Sequence, residues 1–329
     1  MDWIDIWLIP IIKAIVVALG LLVMFAYMTL AERKLCGRFQ LRYGPNQAGP
    51  FGAFQPIADA LKAIFKEELI PTHVDKWLYV LCPALAMVPA IVAFAVIPIG
   101  RPFMLAGREI TLQMADINVG LLYPMAVAGL GAYGIVLGGW SSNNNYSLLG
   151  ALRATAQIIS YEIPMALALV SLVVVTGTLK MSGIVEYQKV VPLIVLQPVG
   201  FLIYFICGLA ETNRSPFDFP ETENELISGY NTEYGGIKFA LFFMAEYINM
   251  IVVSALVATL FLGGWQGPFL PGWIWFFIKA CFFLFVFVWI RASLPRARYD
   301  KLMKFCWKFL LPLSVVNLLV TAAVVLLLR

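Results

Sequence analysis

Histidine is almost absent from this chain of 329 residues: His73 stands alone. A single imidazole excludes a bis-histidine haem and any metal site built mainly on histidine. Cysteine is scarce and scattered. Cys36, Cys82, Cys207, Cys281 and Cys306 never come closer than 25 residues, so no CxxC pair is available for zinc, iron–sulfur or thiol redox work. Most of them lie in or beside apolar runs, where cysteine acts as a small buried hydrophobe. Neither GxGxxG nor GxxxxGK(S/T) occurs, so no nucleotide cradle is legible. Charge is also sparse, at 13% against a globular norm of about 25%.

What is present is apolar surface. Hydrophobic residues make up 61% of the chain and the mean hydropathy is +0.86. A water-soluble core cannot absorb that much, but a bilayer can. At roughly 20 residues per span there is room for about seven to ten. The first run opens with Asp2 and Asp5 and lacks a basic n-region, so it is expected as a span rather than a cleaved signal. Hydropathy places eight spans, at about 8–31, 77–100, 117–140, 155–177, 191–210, 237–263, 273–290 and 309–328. The expectation is an all-α integral membrane protein of one domain, 1–329.

Of the 23 basic residues, sixteen fall in the segments that share one side of these spans: 32–76, 141–154, 211–238 and 291–308. The other side has Arg101, Arg108, Lys180, Lys189 and Arg329, while Lys13 and Lys279 lie within spans. This bias puts the large loops in the cytoplasm and both termini outside. The net charge of +4 is therefore a topology signal, and nucleic acid is not an expected partner.

The informative residues lie on or near the cytoplasmic side. After the turn signal Gly44-Pro45-Asn46, Phe54, Ile57, Leu61, Ile64 and Phe65 form one stripe at helical spacing, with Gln55, Asp59, Lys62 and Lys66 opposite. A helix over about 51–66 is too short and polar to span and is expected in the interface plane. It either braces the spans or frames an opening for a membrane-soluble ligand.

Two carboxylates stand inside spans: Glu162 in ISYEIP and Glu246 in FMAEY. Intramembrane acids are costly and usually mark proton or ion paths. Glu162 lies nine residues past Arg153 and Glu246 eight past Lys238, so both sit roughly 12–14 Å inside the boundary and are placed to share one chamber. The acidic loop 211–236 leads toward them. Glu211, Asp218, Glu221, Glu223, Glu225 and Glu233 are interleaved with Phe217, Phe219 and prolines, and Arg214 is expected to be their local counter-charge. The segment from Arg291 to Lys301 is strongly basic and reads as a positive-inside anchor or a docking surface.

Five segments carry a resemblance: AERKLCGRFQLRYGPNQAGPFGAFQPIADALKAIFKE, WSSNNNYSLLGALRATAQIISYE, GLAETNRSPFDFPETENELISGYNTEY, FALFFMAEY and WIRASLPRARYDKLMKFCWK. From about residue 8 to 328 the chain resembles one membrane-subunit family of proton-pumping NADH:quinone oxidoreductase, respiratory complex I: the H-type subunits of bacteria, called subunit 1 in mitochondria. The resemblance implies eight transmembrane helices plus a cytoplasmic-side interfacial helix. It implies a place at the heel of the membrane arm, against two hydrophilic quinone-site subunits and small membrane subunits. Quinone is the implied substrate. FMN and iron–sulfur clusters are implied on partner subunits, with no bound redox cofactor in this chain. The family's carboxylate path falls on Glu162, Glu211, Asp218, Glu221, Glu223, Glu225, Glu233 and Glu246. Its quinone chamber and entrance fall on Glu32, Arg33, Phe54, Ile57, Leu61, Phe65, Arg214 and Phe217. A bacterial cytoplasmic membrane is the implied location. Two other functions fit parts of the pattern. One is the membrane anchor of an energy-converting hydrogenase or formate hydrogenlyase, which has no quinone. The other is a stand-alone ion-coupled transporter, which predicts inverted repeats.

Overall fold

The computed structural model describes residues 7–105, 108–218 and 228–328. They form an all-α membrane protein. The helices are α1 (Ile9–Phe39), α2 (Gln55–Phe65), α3 (Lys76–Ala93), α4 (Leu122–Ser141), α5 (Asn145–Thr176), α6 (Met181–Tyr187), α7 (Leu193–Leu196), α8 (Pro198–Glu211), α9 (Gly236–Phe261), α10 (Gly272–Ser293) and α11 (Tyr299–Leu328). A π-helical turn at Cys306–Leu310 lies within α11. The described strands, β1 (Phe103–Leu105) and β2 (Arg108–Ile110), pair antiparallel between α3 and α4.

Seven helices among the described residues are long and apolar enough to cross a membrane: α1, α3 with its terminal 3-10 turn, α4, α5, α9, α10 and α11. The expected span at 191–210 is met differently. Gln197 precedes a proline and leaves the helical region, at φ −134° and ψ 60°, which splits the run into α7 and the 14-residue α8. At 1.5 Å per residue α8 is about 21 Å long, short of the roughly 30 Å hydrocarbon core.

Several elements extend beyond the apolar runs. α1 continues to Phe39, so Glu32 and Arg33 are helical rather than in a loop. α5 starts at Asn145 because the Asn144 side chain caps it, accepting from the Tyr146 N–H at 3.0 Å. Arg153 is therefore on a helix too. The basic segment 291–308 folds largely into the end of α10 and the start of α11. Hydropathy registers only the apolar part of a helix, so the polar turns went to the loops.

Burial follows position in the bundle. α9 is the most enclosed span and packs on α1, α3, α8 and α10; α4, α8 and α11 pack on α5. Where lipid is as apolar as leucine, close approach of small residues provides packing. Gly134 shows this between α3 and α4: a Cβ there would lie 2.6 Å from the Ala86 nitrogen and 2.9 Å from its Cα. Backbone cannot yield as a side chain can. Gly134→Val is expected to destabilise the bundle by about 1–3 kcal/mol or more. Gly20→Ala, where a Cβ meets nothing within 4 Å, should not. Thermal unfolding of the two purified variants checks this; equal midpoints would mean the α3–α4 approach is not tight.

Candidate functional site

The site begins with an ion cluster where α1, α10 and the segment after α8 meet. Glu32 is only 4% exposed. Arg214 donates to both of its carboxylate oxygens, at 2.9 and 2.7 Å, and Arg291 from α10 pairs with it as well. Arg214 is itself buried, and its guanidinium lies 3.8 Å from the centre of the Tyr247 ring on α9. Two arginines on one carboxylate leave a net positive charge, partly offset by the ring face. The expectation that Arg214 neutralises the acidic loop is corrected here: its partner is Glu32 on the first span. Asp218, buried at the start of that loop, pairs with Arg296 at 2.8 Å. Arg291 and Arg296 therefore neutralise acids of the site, beyond anchoring the chain by charge.

The amphipathic helix docks in an unexpected sense. Pro56 is buried and Asp59 and Ala63 are half-buried, whereas Phe54, Ile57, Leu61 and Phe65 are exposed. Arg33 reaches Asp59 at 2.6 Å, and Gln55 donates to Asp59 at 2.9 Å. The small and polar side holds the helix to α1 and α9, and the apolar stripe points away from the chain. Lys34 also ties α1 to the carbonyl of Phe51, in the turn that opens this segment.

A second group of acids lies deeper. A cavity of about 30 Å³, room for about one or two waters, is lined by Glu211 at the end of α8 and by Glu246 and Asn249 on α9. The Tyr230 hydroxyl donates to Glu246 Oε1 at 3.1 Å. Glu162 flanks this cavity without lining it. Its Oε1 is buried beside Gly129 of α4 and has no hydrogen-bond partner among the described residues. Its charge acts on Glu211, which stands between it and the cavity. So the chamber belongs to Glu211 and Glu246, with Glu162 on the far side of Glu211.

Local structure holds Glu162 in place. Pro164 has no N–H for the carbonyl of Ser160, and the Cys306 thiol fills that vacancy at 3.1 Å. The Tyr161 hydroxyl donates to the Leu302 carbonyl at 3.2 Å. Both contacts tie α5 to α11 beside the acid. Gln157, one turn before Tyr161, donates to the carbonyls of Ala210 and Phe217 at 2.7 and 2.9 Å. It thereby fixes the start of the acidic loop, and Phe217 packs 6.0 Å from the Tyr161 ring.

Glu233 closes the described set. Asn144 donates to its carboxylate at 2.7 Å, and the Tyr79 hydroxyl donates to its backbone carbonyl at 2.6 Å. Asn144 thus caps α5 and orients an acid at once. Tyr79 stacks on Tyr234 with ring centres 4.3 Å apart, and burial holds the Tyr234 phenol above its usual range. Glu221, Glu223 and Glu225 lie outside the described residues. Sequence reasoning missed Arg291, Arg296, Tyr230, Asn249 and Asn144. Tyrosine and asparagine among apolar residues carry no signal until the helices are assembled. The two arginines were masked by a charge run that reads as topology.

A sequence profile of the NADH dehydrogenase family matches residues 12–322. The chain belongs to that family. Its curated relatives include the second of two H-type subunits of the NADH-quinone oxidoreductase of Geobacter sulfurreducens, 53% identical over 300 residues, or 91% of each chain. The H-type subunit of the same enzyme from Syntrophotalea carbinolica is 49% identical over 314 residues, covering 94% of this chain and 95% of its own. That of Protochlamydia amoebophila is 53% identical over 297 residues, covering 90% and 91%. As an NADH dehydrogenase family member the chain is matched end to end, so the acids, both arginines and the apolar helix all fall within the family region.

Proposed function

We infer that the chain is the membrane subunit of a proton-pumping NADH:quinone oxidoreductase that builds part of the quinone chamber and couples quinone reduction to proton translocation. The observation that carries this reading is the continuity of charge. The Glu32–Arg214–Arg291 cluster stands beside Asp218 at the start of the acidic loop, and Glu211, Glu246 and Glu162 continue from there into the bundle. Quinone is the substrate. FMN and the iron–sulfur clusters belong to partner subunits, and the hydrophilic quinone-site subunits cover the acidic loop. Small membrane subunits and lipid surround the rest.

The chemistry asked of this chain is electrostatic and protonic. Reducing a quinone adds electrons and consumes protons, so the charge balance of the chamber changes. A buried ion cluster responds strongly because the medium around it screens little. Arg214 and Arg291 would shift between the chamber and Glu32, and the acidic loop would redistribute protons. Glu221, Glu223 and Glu225 extend this path in the family resemblance. Glu211 and Glu246, with water in the cavity between them, pass the change onward, and Glu162 receives it beyond Glu211.

The exposed stripe of Phe54, Ile57, Leu61 and Phe65 is the entrance for the quinone tail. Phe54→Asp should then impair use of a long-tailed quinone far more than use of a short, soluble analogue, by about tenfold at a bilayer interface where a charge is poorly tolerated. Quinone reductase assays with the two substrates check this. Equal loss with both would reject the entrance.

The chain sits in the bacterial cytoplasmic membrane with the acidic loop in the cytoplasm and both termini outside. Arg298 is exposed and pairs only with its neighbour Asp300 among the described residues, so Arg298→Cys is a suitable reporter. An impermeant thiol reagent should label it in inverted vesicles and not in intact cells. Labelling from outside intact cells would reverse the topology.

A further inference from the structure

At the end of the bundle opposite the acidic loop, two cavities of about 320 and 620 Å³ share Ile99, Phe103 and Leu112 as walls. They are two arms on either side of one segment. The smaller arm runs along α1, past Ile12, Lys13 and Val16, to Phe94. The larger arm is lined by Arg101 and by Trp273 and Phe277 of α10.

The level of this groove in the membrane follows from helix geometry. Lys13 precedes Glu32 by 19 residues on α1, and Trp273 precedes Arg291 by 18 on α10. Glu32 and Arg291 are paired, so Lys13 and Trp273 both lie roughly 27–29 Å along the bundle from one point. That is about one hydrocarbon thickness. Lys13, Arg101 and Trp273 therefore stand at the headgroup level of the opposite leaflet, with apolar arms at hand.

The walls are built rather than loose. The Ile99 N–H donates to the Leu112 carbonyl at 3.1 Å, and Gln113, buried, donates to the carbonyls of Val96 and Ala115 at 2.8 and 3.0 Å. The Lys13 ammonium is oriented by Thr111 Oγ1 at 3.0 Å and the Gln113 carbonyl at 3.5 Å, neither of which neutralises it. Arg101 is exposed and has no ion pair among the described residues. No acidic side chain lines either arm among the described residues. Two cations without a counter-ion at the rim of a two-armed apolar groove match one ligand chemistry: a phosphodiester carrying two acyl chains.

We propose that this groove is a binding site for an anionic diacyl phospholipid of the leaflet opposite the acidic loop, with Lys13 and Arg101 holding the phosphate and the two arms holding the chains. Trp273 marks the interface, as aromatic belts do.

The test uses the membrane complex containing the whole chain, reconstituted in phosphatidylcholine vesicles doped with photoactivatable phosphatidylglycerol or photoactivatable phosphatidylcholine. Irradiation should label peptides from α1 and residues 97–114 with the phosphatidylglycerol probe. Excess phosphatidylglycerol should compete and excess phosphatidylcholine should not. The Lys13→Gln, Arg101→Gln double variant should lower this labelling about tenfold or more, with labelling of the exposed face of α2 unchanged as the control for intact protein. Lys13→Arg with Arg101→Lys should retain it. Equal labelling by both probes, or competition by both lipids, would reduce the groove to ordinary lipid contact and overturn the proposal. So would crosslinks from these peptides to a helix of another protein in the complex with no lipid adduct. The competition arm stands even if the double variant fails to assemble.

Discussion

Glu32→Ala is expected to remove nearly all quinone reductase activity and to lower the yield of assembled complex. The reason lies in its partners. Glu32 and Arg214 have side chains only 5% and 7% exposed, and they are joined by two hydrogen bonds. Deleting the carboxylate leaves the Arg214 guanidinium buried with only the Tyr247 ring against it. Breaking a buried pair from one side typically costs about 3–5 kcal/mol. Arg291 loses the same partner, so two positive charges face each other near the chamber. Arg214→Lys should fare almost as badly, because an ammonium cannot grip both carboxylate oxygens and stack flat on Tyr247. Native gel assay of membranes, paired with quinone reduction, checks both variants. Normal assembly and activity in Glu32→Ala would mean that the cluster is ornamental.

Glu246→Gln is the second large effect. Glutamine preserves the shape of the side chain and can still accept the hydrogen bond from Tyr230, so packing should survive. It cannot take up and release a proton. A relay that loses one member falls by the order of magnitude that a positioned proton-transfer group contributes, about a hundredfold. Proton translocation should fall with quinone reduction, and assembly should not change. Tyr230→Phe supplies the contrast: the carboxylate stays but loses its donor, and the loss should be only a few-fold. Fluorescence quenching in proteoliposomes, scored against assembled complex, separates these outcomes. Full pumping in Glu246→Gln would remove this residue from the path.

Much of this was legible in the sequence, for reasons that differ from residue to residue. The long spans follow from apolar runs that no soluble fold could hide. Glu162 and Glu246 stand out because carboxylates are rare in hydrocarbon, and their depth could be counted from the nearest basic residue. The amphipathic stripe was readable, but its direction was not. Periodicity gives two faces and cannot say that Pro56, Asp59 and Ala63 pack while Phe54 and Leu61 point outward. The break before α8 was written in Gln197-Pro198, yet a hydropathy window averages over it. Pairings across the bundle were the least accessible. Arg291 is 259 residues from Glu32 in sequence, and a basic run at the end of a span already had a sufficient explanation in topology. The cavity between Glu211 and Glu246 depends on where α8 ends relative to α9, which no local pattern encodes.

The central claim is that these acids belong to one path. Glu162 lies on α5 and Glu246 on α9, with Glu211 between them, so independent roles and a shared role make different predictions. The decisive measurement is a double-mutant cycle of Glu162→Gln and Glu246→Gln, read as quinone-driven proton translocation per assembled complex. If one path runs through both, the double variant should lose about as much as the worse single variant, because a broken path is not broken further. If the two losses multiply, the acids act independently and the single-path account is wrong.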